Sequence, residues 1–257
     1  MGVDHYMIRW INHFLIIGIV GCLLQPLSAD AVKQAEKSKQ IELESHKVDV
    51  TGDGQKDSVY IYGIPFDEDT KYFKEFKLVA KTKQGKKEHM IPGGFSPSIH
   101  FYDINGDDTL EVLMEIPTGG SGGVNDYYAY CVYNSKIEQV ELPKTLNING
   151  SFNDNYQATL MVPEVNKSYT IDLKNHKKKY DKLGIYHKGK LSEPSETLIS
   201  EYKSLKMKDI DKDGHKELVG IQQVSGASVV DRIAKVQSIW VFKNQKWDLK
   251  DVKVVPN

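Results

Sequence analysis

Asp209-Ile-Asp211-Lys-Asp213-Gly-His215-Lys-Glu217 places a polar side chain, usually an oxygen donor, at every odd position. Two other stretches keep this register, Asp49-Val-Thr51-Gly-Asp53-Gly-Gln55-Lys-Asp57 and Asp103-Ile-Asn105-Gly-Asp107-Asp-Thr109-Leu-Glu111. Ca²⁺ takes about six to eight oxygen ligands, and side chains at positions one, three, five and nine, with a backbone carbonyl at position seven, can surround one ion. The spacing therefore predicts three calcium loops, which we number 1 to 3 in chain order.

An EF-hand begins with the same register but requires a bidentate Glu at position twelve. The three stretches hold Tyr60, Met114 and Gly220 there, which argues against an EF-hand. Each stretch is instead followed by alternating apolar and polar residues, which is typical of a half-buried β-strand. We therefore expect calcium loops between strands, with the aliphatic residues at position two and after position nine packed in a β core.

The remaining sequence also predicts an all-β fold. Short alternating runs at 58–62, 76–80, 111–116, 169–173, 217–221 and 238–242 are separated by Gly, Asn, Asp and Pro. Only 32–40 and 194–202 are modest helix candidates.

The loops recur with a period that suggests repeated β-sheet units. Loops 1 and 2 begin 54 residues apart, and loops 2 and 3 begin 106 residues apart, close to twice that spacing. The stretch 151–161 aligns with 103–113 without a gap and keeps polar oxygens at the odd positions, although its carboxylates are lost. We predict a signal peptide at 1–31, a linker at 32–44 and a single β-repeat domain at 45–257, with units near 49, 103, 151 (degenerate) and 209.

The loop signature followed by an aliphatic strand resembles the FG-GAP and VCBS repeats of integrin-α-type β-propellers, and more closely secreted bacterial proteins with a few such repeats. The resemblance covers about 45–257. It implies a propeller-like fold, but no Phe-Gly-Gly-Ala-Pro element is present and four units are fewer than the family's usual ring. An irregular β assembly or a small, incomplete propeller-like fold therefore fits the sequence as well as a closed propeller does. The resemblance also implies that Ca²⁺ has a structural role, with these ligand positions: Asp49, Thr51, Asp53, Gln55, Asp57, Asp103, Asn105, Asp107, Thr109, Glu111, Asp209, Asp211, Asp213, His215 and Glu217.

The loops differ in how well they fit the signature. Asp108 stands where Gly normally makes the sharp turn in loop 2, and Thr51 replaces a carboxylate in loop 1. Loop 3 has the most complete set of ligands, so we expect it to bind Ca²⁺ most tightly.

The N-terminal segment predicts export. A positive region near Arg9, an apolar run at 14–24 and a small-residue cleavage signal ending at Ala31 form a secretory signal peptide. The apolar run is shorter than the about 20 residues of a membrane span, so we expect no transmembrane span in the mature chain. A lipid anchor at Cys22 is the alternative, but Leu23 and the next residue continue the apolar run where a lipoprotein has a polar linker. An uncleaved anchor is a third possibility, and all three place the folded part outside the cytoplasm.

Composition adds weaker constraints. The formal net charge is -1, which argues against a nucleic-acid-binding protein. Cys131 lies in an alternating tyrosine-rich run and is predicted to be a buried thiol on a strand. The lysines at 174, 177, 178, 179 and 182 fit either a solvated loop or a patch for an anionic cell-wall polymer or phospholipid surface.

No local catalytic signature is present, which makes an enzyme the less favoured class. Glycine-rich loops at 117–126 and 224–228 fit either mobile connections or the rim of a binding face, with Tyr127, Tyr128 and Tyr130 as stacking surfaces or as core residues. We expect a secreted or cell-surface calcium-binding protein that binds a protein or glycan without catalysis. The alternatives are a secreted hydrolase on a propeller-like scaffold and an envelope or spore-layer structural protein.

Overall fold

A computed structural model of the protein describes residues 40–67, 71–133 and 135–257. The predicted signal peptide, Cys22 and nearly all of the predicted helix at 32–40 lie outside these residues. Within the described ranges, no helix has the length and apolar character needed to cross a bilayer.

The described chain is all-β, as predicted, and most of it lies in four antiparallel sheets. Sheet 1 contains β1 (Ile41–Val48), β2 (Asp57–Pro65), β3 (Phe73–Thr82) and β4 (Gly85–Gly94). Sheet 2 contains β5 (Ser98–Tyr102), β6 (Glu111–Pro117), β7 (Asn125–Val132) and β8 (Ile137–Val140). Sheet 3 contains β9 (Asn149–Asn153), β10 (Gln157–Val162) and β11 (Lys167–Asp172), in the order β11-β10-β9.

A helical segment and a short hairpin follow sheet 3. The helical segment contains η2 (Lys174–His176) and the α-helix α1 (Lys177–Lys182), and the hairpin joins β12 (Tyr186–His187) to β13 (Lys190–Leu191). A further helical turn, η1 (Pro163–Val165), connects β10 to β11 within sheet 3. Sheet 4 completes the chain with β14 (Leu198–Lys208), β15 (Glu217–Ser225), β16 (Arg232–Lys243) and β17 (Lys246–Pro256). All four sheets are meanders, in which strands adjacent in the chain are adjacent in the sheet.

Four groups of apolar side chains in the described residues hold the sheets together, the smallest of which packs Leu113 of sheet 2 against Trp247 of sheet 4. The first joins sheets 1 and 2, where Leu78 and Ile91 pack with Met114. The second joins sheets 3 and 4, with Leu160 and Val236 among its members. A smaller cluster around Tyr202 and Leu205 packs sheet 4 against residues of sheet 2. Sheet 4 therefore contacts both sheet 2 and sheet 3, and the described residues form neither a closed barrel nor a closed ring of blades.

The segment 141–147 crosses from sheet 2 to sheet 3 and is held by side chains of sheet 4; we call it the strap. Trp247 Nε1 donates to the carbonyl of Glu141 at 2.9 Å, and the Tyr202 hydroxyl donates to the carbonyl of Lys144 at 3.0 Å. Because the strap has no strand partners of its own, these side chains satisfy backbone groups that a sheet would otherwise pair.

The predicted helix at 194–202 is wrong, because β14 begins at Leu198 and pairs with β15. Tyr202 and Leu205 of β14 are buried against sheet 2, so tertiary packing decides the conformation here over local propensity. The described α-helix instead lies in the lysine-rich stretch, where Tyr180 supplies its buried side chain. At the other end of the domain, β1 begins at Ile41, inside the segment predicted as linker.

Candidate metal centres

The three predicted calcium loops occupy equivalent positions in the fold. Each connects the first strand of a meander to the second: β1 to β2, β5 to β6, and β14 to β15. Val59, Val112 and Leu218, which follow the loops, are fully buried in the core. The apolar pattern after each loop therefore anchors its end in a sheet, so the three loops are presented by similar scaffolds.

A hydrogen bond from the second loop position to the ninth closes every loop. The ninth carboxylate is buried in each case and accepts the backbone N–H of the second residue. The bonds are Val50 N to Asp57 Oδ2 at 3.1 Å, Ile104 N to Glu111 Oε2 at 2.7 Å, and Ile210 N to Glu217 Oε2 at 3.0 Å. This bond turns the ninth side chain toward the inside of the loop.

The first and fifth positions also have the same partners in all three loops. The first Asp accepts the N–H of position six: Gly54 to Asp49 at 2.7 Å, Asp108 to Asp103 at 3.1 Å, and Gly214 to Asp209 at 3.2 Å. The fifth Asp accepts the N–H of position seven: Gln55 to Asp53 at 2.9 Å, Thr109 to Asp107 at 2.9 Å, and His215 to Asp213 at 2.8 Å. The first and fifth carboxylates therefore have the same backbone donors in all three loops.

Position six adopts the left-handed conformation throughout. Its φ is 79° at Gly54, 65° at Asp108 and 91° at Gly214. Asp108 makes the same turn as the glycines, since aspartate is among the residues that tolerate this conformation.

The third position distinguishes loop 3 from the other two. Thr51 Oγ1 donates to Asp57 at 3.1 Å, and Asn105 Nδ2 donates to Glu111 at 3.1 Å, so a neutral donor faces the ninth carboxylate in loops 1 and 2. In loop 3 this position is Asp211, and Asp209, Asp211 and Glu217 can bring carboxylate oxygens within 4.8 Å of one another. Within the described residues, this is the group of carboxylates that could share a metal ion.

Lys250 of β17 contacts two of these three carboxylates, a contact that the sequence pattern does not predict. Its Nζ lies 2.7 Å from Asp211 Oδ2 and 2.5 Å from Glu217 Oε1. Hydrogen bonds to both carboxylates raise the pKa of Lys250, and the bond from Lys250 lowers the pKa of Asp211.

The ninth residues of loops 2 and 3 have opposite pKa shifts. Burial raises the pKa of Glu111 above its ordinary value. Burial acts on Glu217 in the same direction, but the hydrogen bonds from Lys250 and the Ile210 N–H outweigh it and lower the pKa. Lys250 contributes to this difference, and the neighbouring Asp107 and Asp103 carboxylates raise the pKa of Glu111 further.

Cys131 is buried on β7, as predicted, and lies beside loop 2. Its thiol donates to Glu111 Oε1 at 3.2 Å. Burial, followed by the neighbouring Glu111 carboxylate, raises the pKa of Cys131 to about 12. The thiol is therefore protonated at neutral pH and is a poor nucleophile in the folded protein.

The stretch 151–161 falls on the β9–β10 hairpin. Side-chain atoms of Asn153 and Thr159, which align with positions three and nine, lie 2.7 Å apart. Between β9 and β10 only residues 154–156 turn the chain, and Asp154 pairs with Lys190 outside the hairpin at 2.7 Å. This hairpin therefore keeps the contact between positions three and nine, but it has no carboxylates at the odd positions.

The loops lie side by side. A Cβ on Gly52 of loop 1 would lie 2.9 Å from Thr109 Oγ1 of loop 2, and both loops line a cavity of about 100 Å³. Loops 2 and 3 line a larger cleft of about 670 Å³, which Lys250 of β17 also borders.

The two glycine-rich stretches connect the second and third strands of sheets 2 and 4, at the opposite strand ends from the loops. Tyr130 is 1% exposed and packs in the core, so it cannot act as a stacking surface. Tyr127 is half-buried, and its hydroxyl accepts a hydrogen bond from Asn125 at 3.2 Å.

Comparison with known proteins finds similarity to one protein family and to a protein of Bacillus subtilis. Residues 146–255 match the family described as YybI C-terminal domain. A protein of Bacillus subtilis (strain 168), named "Uncharacterized protein YybI", is 26% identical to this chain over 231 residues, which cover 87% of this chain and 84% of the relative. No solved structure matches the chain.

The matched range follows a physical boundary in the fold. It contains sheets 3 and 4, which share the second apolar core, and it begins at Leu146 of the strap. Loop 3 lies inside this range, whereas loops 1 and 2 precede it.

Proposed function

We propose that the protein is a calcium-stabilised β-repeat protein that acts outside the cytoplasm as a non-catalytic binding module for a protein or glycan. The observation that carries the proposal is the hydrogen-bond pattern shared by the three loops. Each loop arranges its first, fifth and ninth carboxylates with the same backbone donors, although loops 2 and 3 lie 106 residues apart in the chain.

A bound Ca²⁺ would supply the positive charge that the carboxylates of these loops need. Asp209, Asp211 and Glu217 of loop 3 bring carboxylate oxygens within 4.8 Å of one another, where two like charges repel by about 1 kcal/mol in water and by more where they are partly buried. Loops 1 and 2 each hold three acidic side chains at the odd positions, and the ninth is buried. A divalent cation with oxygen ligands offsets this repulsion and stabilises the closed loop.

The resemblance to FG-GAP and VCBS repeats supports the same role. In that family the loops are structural, and the repeated units form propeller-like assemblies. We propose that sheets 1, 2 and 4 correspond to such units and that 149–191 is a degenerate one.

A cleft between sheets 2 and 4 is our proposed position for the ligand. It has a volume of about 750 Å³, and Tyr127, Lys144 of the strap and Glu201 are among its lining residues. Partly exposed aromatic and charged groups of this kind suit a polar ligand such as a glycan or a peptide.

Thermal unfolding of the full chain in excess EGTA and in millimolar Ca²⁺ tests the calcium proposal. A ligand at a hundred times its Kd stabilises the folded state by about 2.7 kcal/mol, which raises the Tm of a protein of this size by about 5 to 10 °C. Asp49→Ala and Asp103→Ala should each reduce the rise. Asp248→Ala is the matched control, because Asp248 pairs with Lys246 outside the loops. An equal Tm of the parent in both buffers would refute the calcium proposal.

Export is tested separately by expressing the chain in a bacterial host and sequencing the N-terminus of the protein outside the cytoplasm. A terminus following Ala31 supports free secretion, and a blocked, lipid-labelled Cys22 supports the lipid anchor. Retention of the unprocessed chain in the cytoplasm contradicts both.

A further inference from the structure

Loop 3 differs from loops 1 and 2 in having a carboxylate at the third position, directly facing the ninth. In loops 1 and 2 the ninth carboxylate receives a neutral donor from Thr51 or Asn105. Asp211 cannot donate when it is ionised, so it adds repulsion where its counterparts add a hydrogen bond. Something else must compensate for this change in loop 3.

Lys250 provides the compensation from a strand that is distant in sequence. Its Nζ bridges Asp211 and Glu217, and the Glu217 side chain is only 3% exposed. A buried carboxylate next to a second carboxylate is costly unless a cation pairs with it. Among the described residues, no lysine or arginine makes an ion pair with a carboxylate of loops 1 or 2.

The backbone of β17 is irregular where it presents Lys250. Asp251 pairs with Ile239 and Leu249 pairs with Trp240, so Lys250 is an extra residue between two successive pairs. Such a β-bulge re-aims a side chain relative to the regular alternation of the strand.

We propose that Lys250 is the resident cation of loop 3, holding the loop closed without a metal and admitting Ca²⁺ only when its ammonium group is displaced. The calcium part of this inference rests on the proposed function, whereas the role of Lys250 in the metal-free protein does not. Lys250 thereby determines how loop 3 differs in affinity from loops 1 and 2. Loop 3 becomes the weakest calcium site, in contrast to the expectation from its side chains alone.

The competition follows from shared ligand atoms. Asp211 Oδ2 and Glu217 Oε1 bind the ammonium group, and any ion at the centre of the loop requires oxygens of the same two side chains. The Lys250 side chain is 40% exposed, so it has a path to solvent when an ion replaces it.

Lys250→Met tests the proposal in the full chain, because methionine keeps an unbranched stem and removes the charge. Lys246→Met is the matched control, since Lys246 lies on the same strand and pairs with Asp248 away from the loop. In excess EGTA, the Tm of Lys250→Met should fall by several degrees while that of Lys246→Met stays near the parent value. An unchanged Tm of Lys250→Met in EGTA would overturn the proposal.

Calcium binding by equilibrium dialysis provides a readout that a loss of packing would not produce. Lys250→Met should bind one more Ca²⁺ than the parent at the same free concentration, or bind its weakest Ca²⁺ roughly tenfold or more tightly, because two charge-assisted hydrogen bonds no longer compete. A parent that binds no Ca²⁺ would refute the proposed function, and the EGTA comparison would still decide the role of Lys250.

Asp211→Asn completes the test by giving loop 3 the third residue of loop 2. In this background the loop has a neutral donor at position three, so Lys250→Met should lower the Tm in EGTA much less than it does in the parent. This double variant also covers the case in which Lys250→Met alone fails to fold. Equal effects of Lys250→Met in both backgrounds would contradict the pairing with Asp211.

Discussion

Gln222 and Leu146 form a closed pair of hydrogen bonds in which a side chain takes the place of a strand. The backbone N–H of Leu146 donates to Gln222 Oε1 at 2.9 Å, and Gln222 Nε2 donates to the carbonyl of Leu146 at 3.1 Å. Both residues are buried. This pair fixes the strap on sheet 4 at the point where the match to the YybI C-terminal domain begins.

Gln222→Leu should destabilise the protein. The substitution keeps the side-chain volume nearly constant but removes the Gln222 partner of both backbone groups of Leu146 and of the Ser200 carbonyl. Each buried group left unpaired costs about 1 to 3 kcal/mol. We expect the free energy of unfolding in a urea titration to fall by about 2 to 4 kcal/mol. Gln139→Leu on the exposed face of β8 should change it by less than about 0.5 kcal/mol. Equal values for the two variants would show that the strap does not depend on this pair.

Gly220→Ala should weaken the contact between Tyr202 and the strap. A Cβ on Gly220 of β15 would overlap Cε1 of Tyr202 and lie 2.7 Å from Ser238 Oγ, and Tyr202 binds the carbonyl of Lys144. Overpacking of this kind costs about 1 to 3 kcal/mol. Gly120→Ala is the control, because its nearest neighbouring atom is 4.0 Å away. Thermal unfolding measures both, and a parent-like Tm for Gly220→Ala would contradict the packing described.

The Cys131 thiol should be unreactive until the protein unfolds. Its pKa is raised to about 12 and its side chain is buried, so almost no thiolate is exposed at pH 8. In a Cys22→Ser background, the native protein should react with a disulfide reagent far more slowly than the same protein in denaturant. Rapid stoichiometric labelling of the native protein would show that the thiol is accessible.

The sequence predicts the features that depend on local periodicity. Alternation locates the core of β2, β6 and β15, and the register of odd-numbered oxygens locates the three connections between first and second strands. The left-handed turn at Asp108 also follows from its alignment with Gly54 and Gly214. These features are predictable because residues that determine them lie within about ten positions of one another.

The features that the sequence does not predict depend on contacts between distant residues. Lys250 lies 33 positions beyond Glu217, and Gln222 lies 76 positions beyond Leu146. No spacing rule connects such pairs, because the arrangement of the sheets in space brings them together. The same long-range packing places Leu198 and the residues after it in β14, although the sequence predicts a helix at 194–202.

The buried carboxylate of Asp231 links the lysine-rich helix to sheet 4, so the stability of this contact should depend on pH. Its side chain is 2% exposed, and Oδ1 lies 2.7 Å from Lys179 Nζ and 3.2 Å from His176 Nδ1. The Ala227 N–H donates to Oδ2 at 2.9 Å. Burial raises the pKa of Asp231, but the bonds from Lys179 and Ala227 outweigh burial and lower it below the ordinary value of 3.8.

The sign of the effect follows from this depressed pKa. The ionised carboxylate contributes stability above the unfolded-state pKa, and this contribution is lost as the pH falls through the lower folded-state pKa. Asp231→Asn should therefore lower the free energy of unfolding by about 1 to 3 kcal/mol at pH 7, and the difference from the parent should shrink below about pH 4.

Asp248→Asn is the control for that titration, because Asp248 pairs with Lys246 at 3.3 Å on the surface. Exposed ion pairs contribute little to stability, so this variant should differ little from the parent at any pH. Urea titrations at several pH values measure both differences. A deficit of Asp231→Asn that stays constant from pH 7 to pH 3 would show that shape and not charge at residue 231 holds the helix on sheet 4.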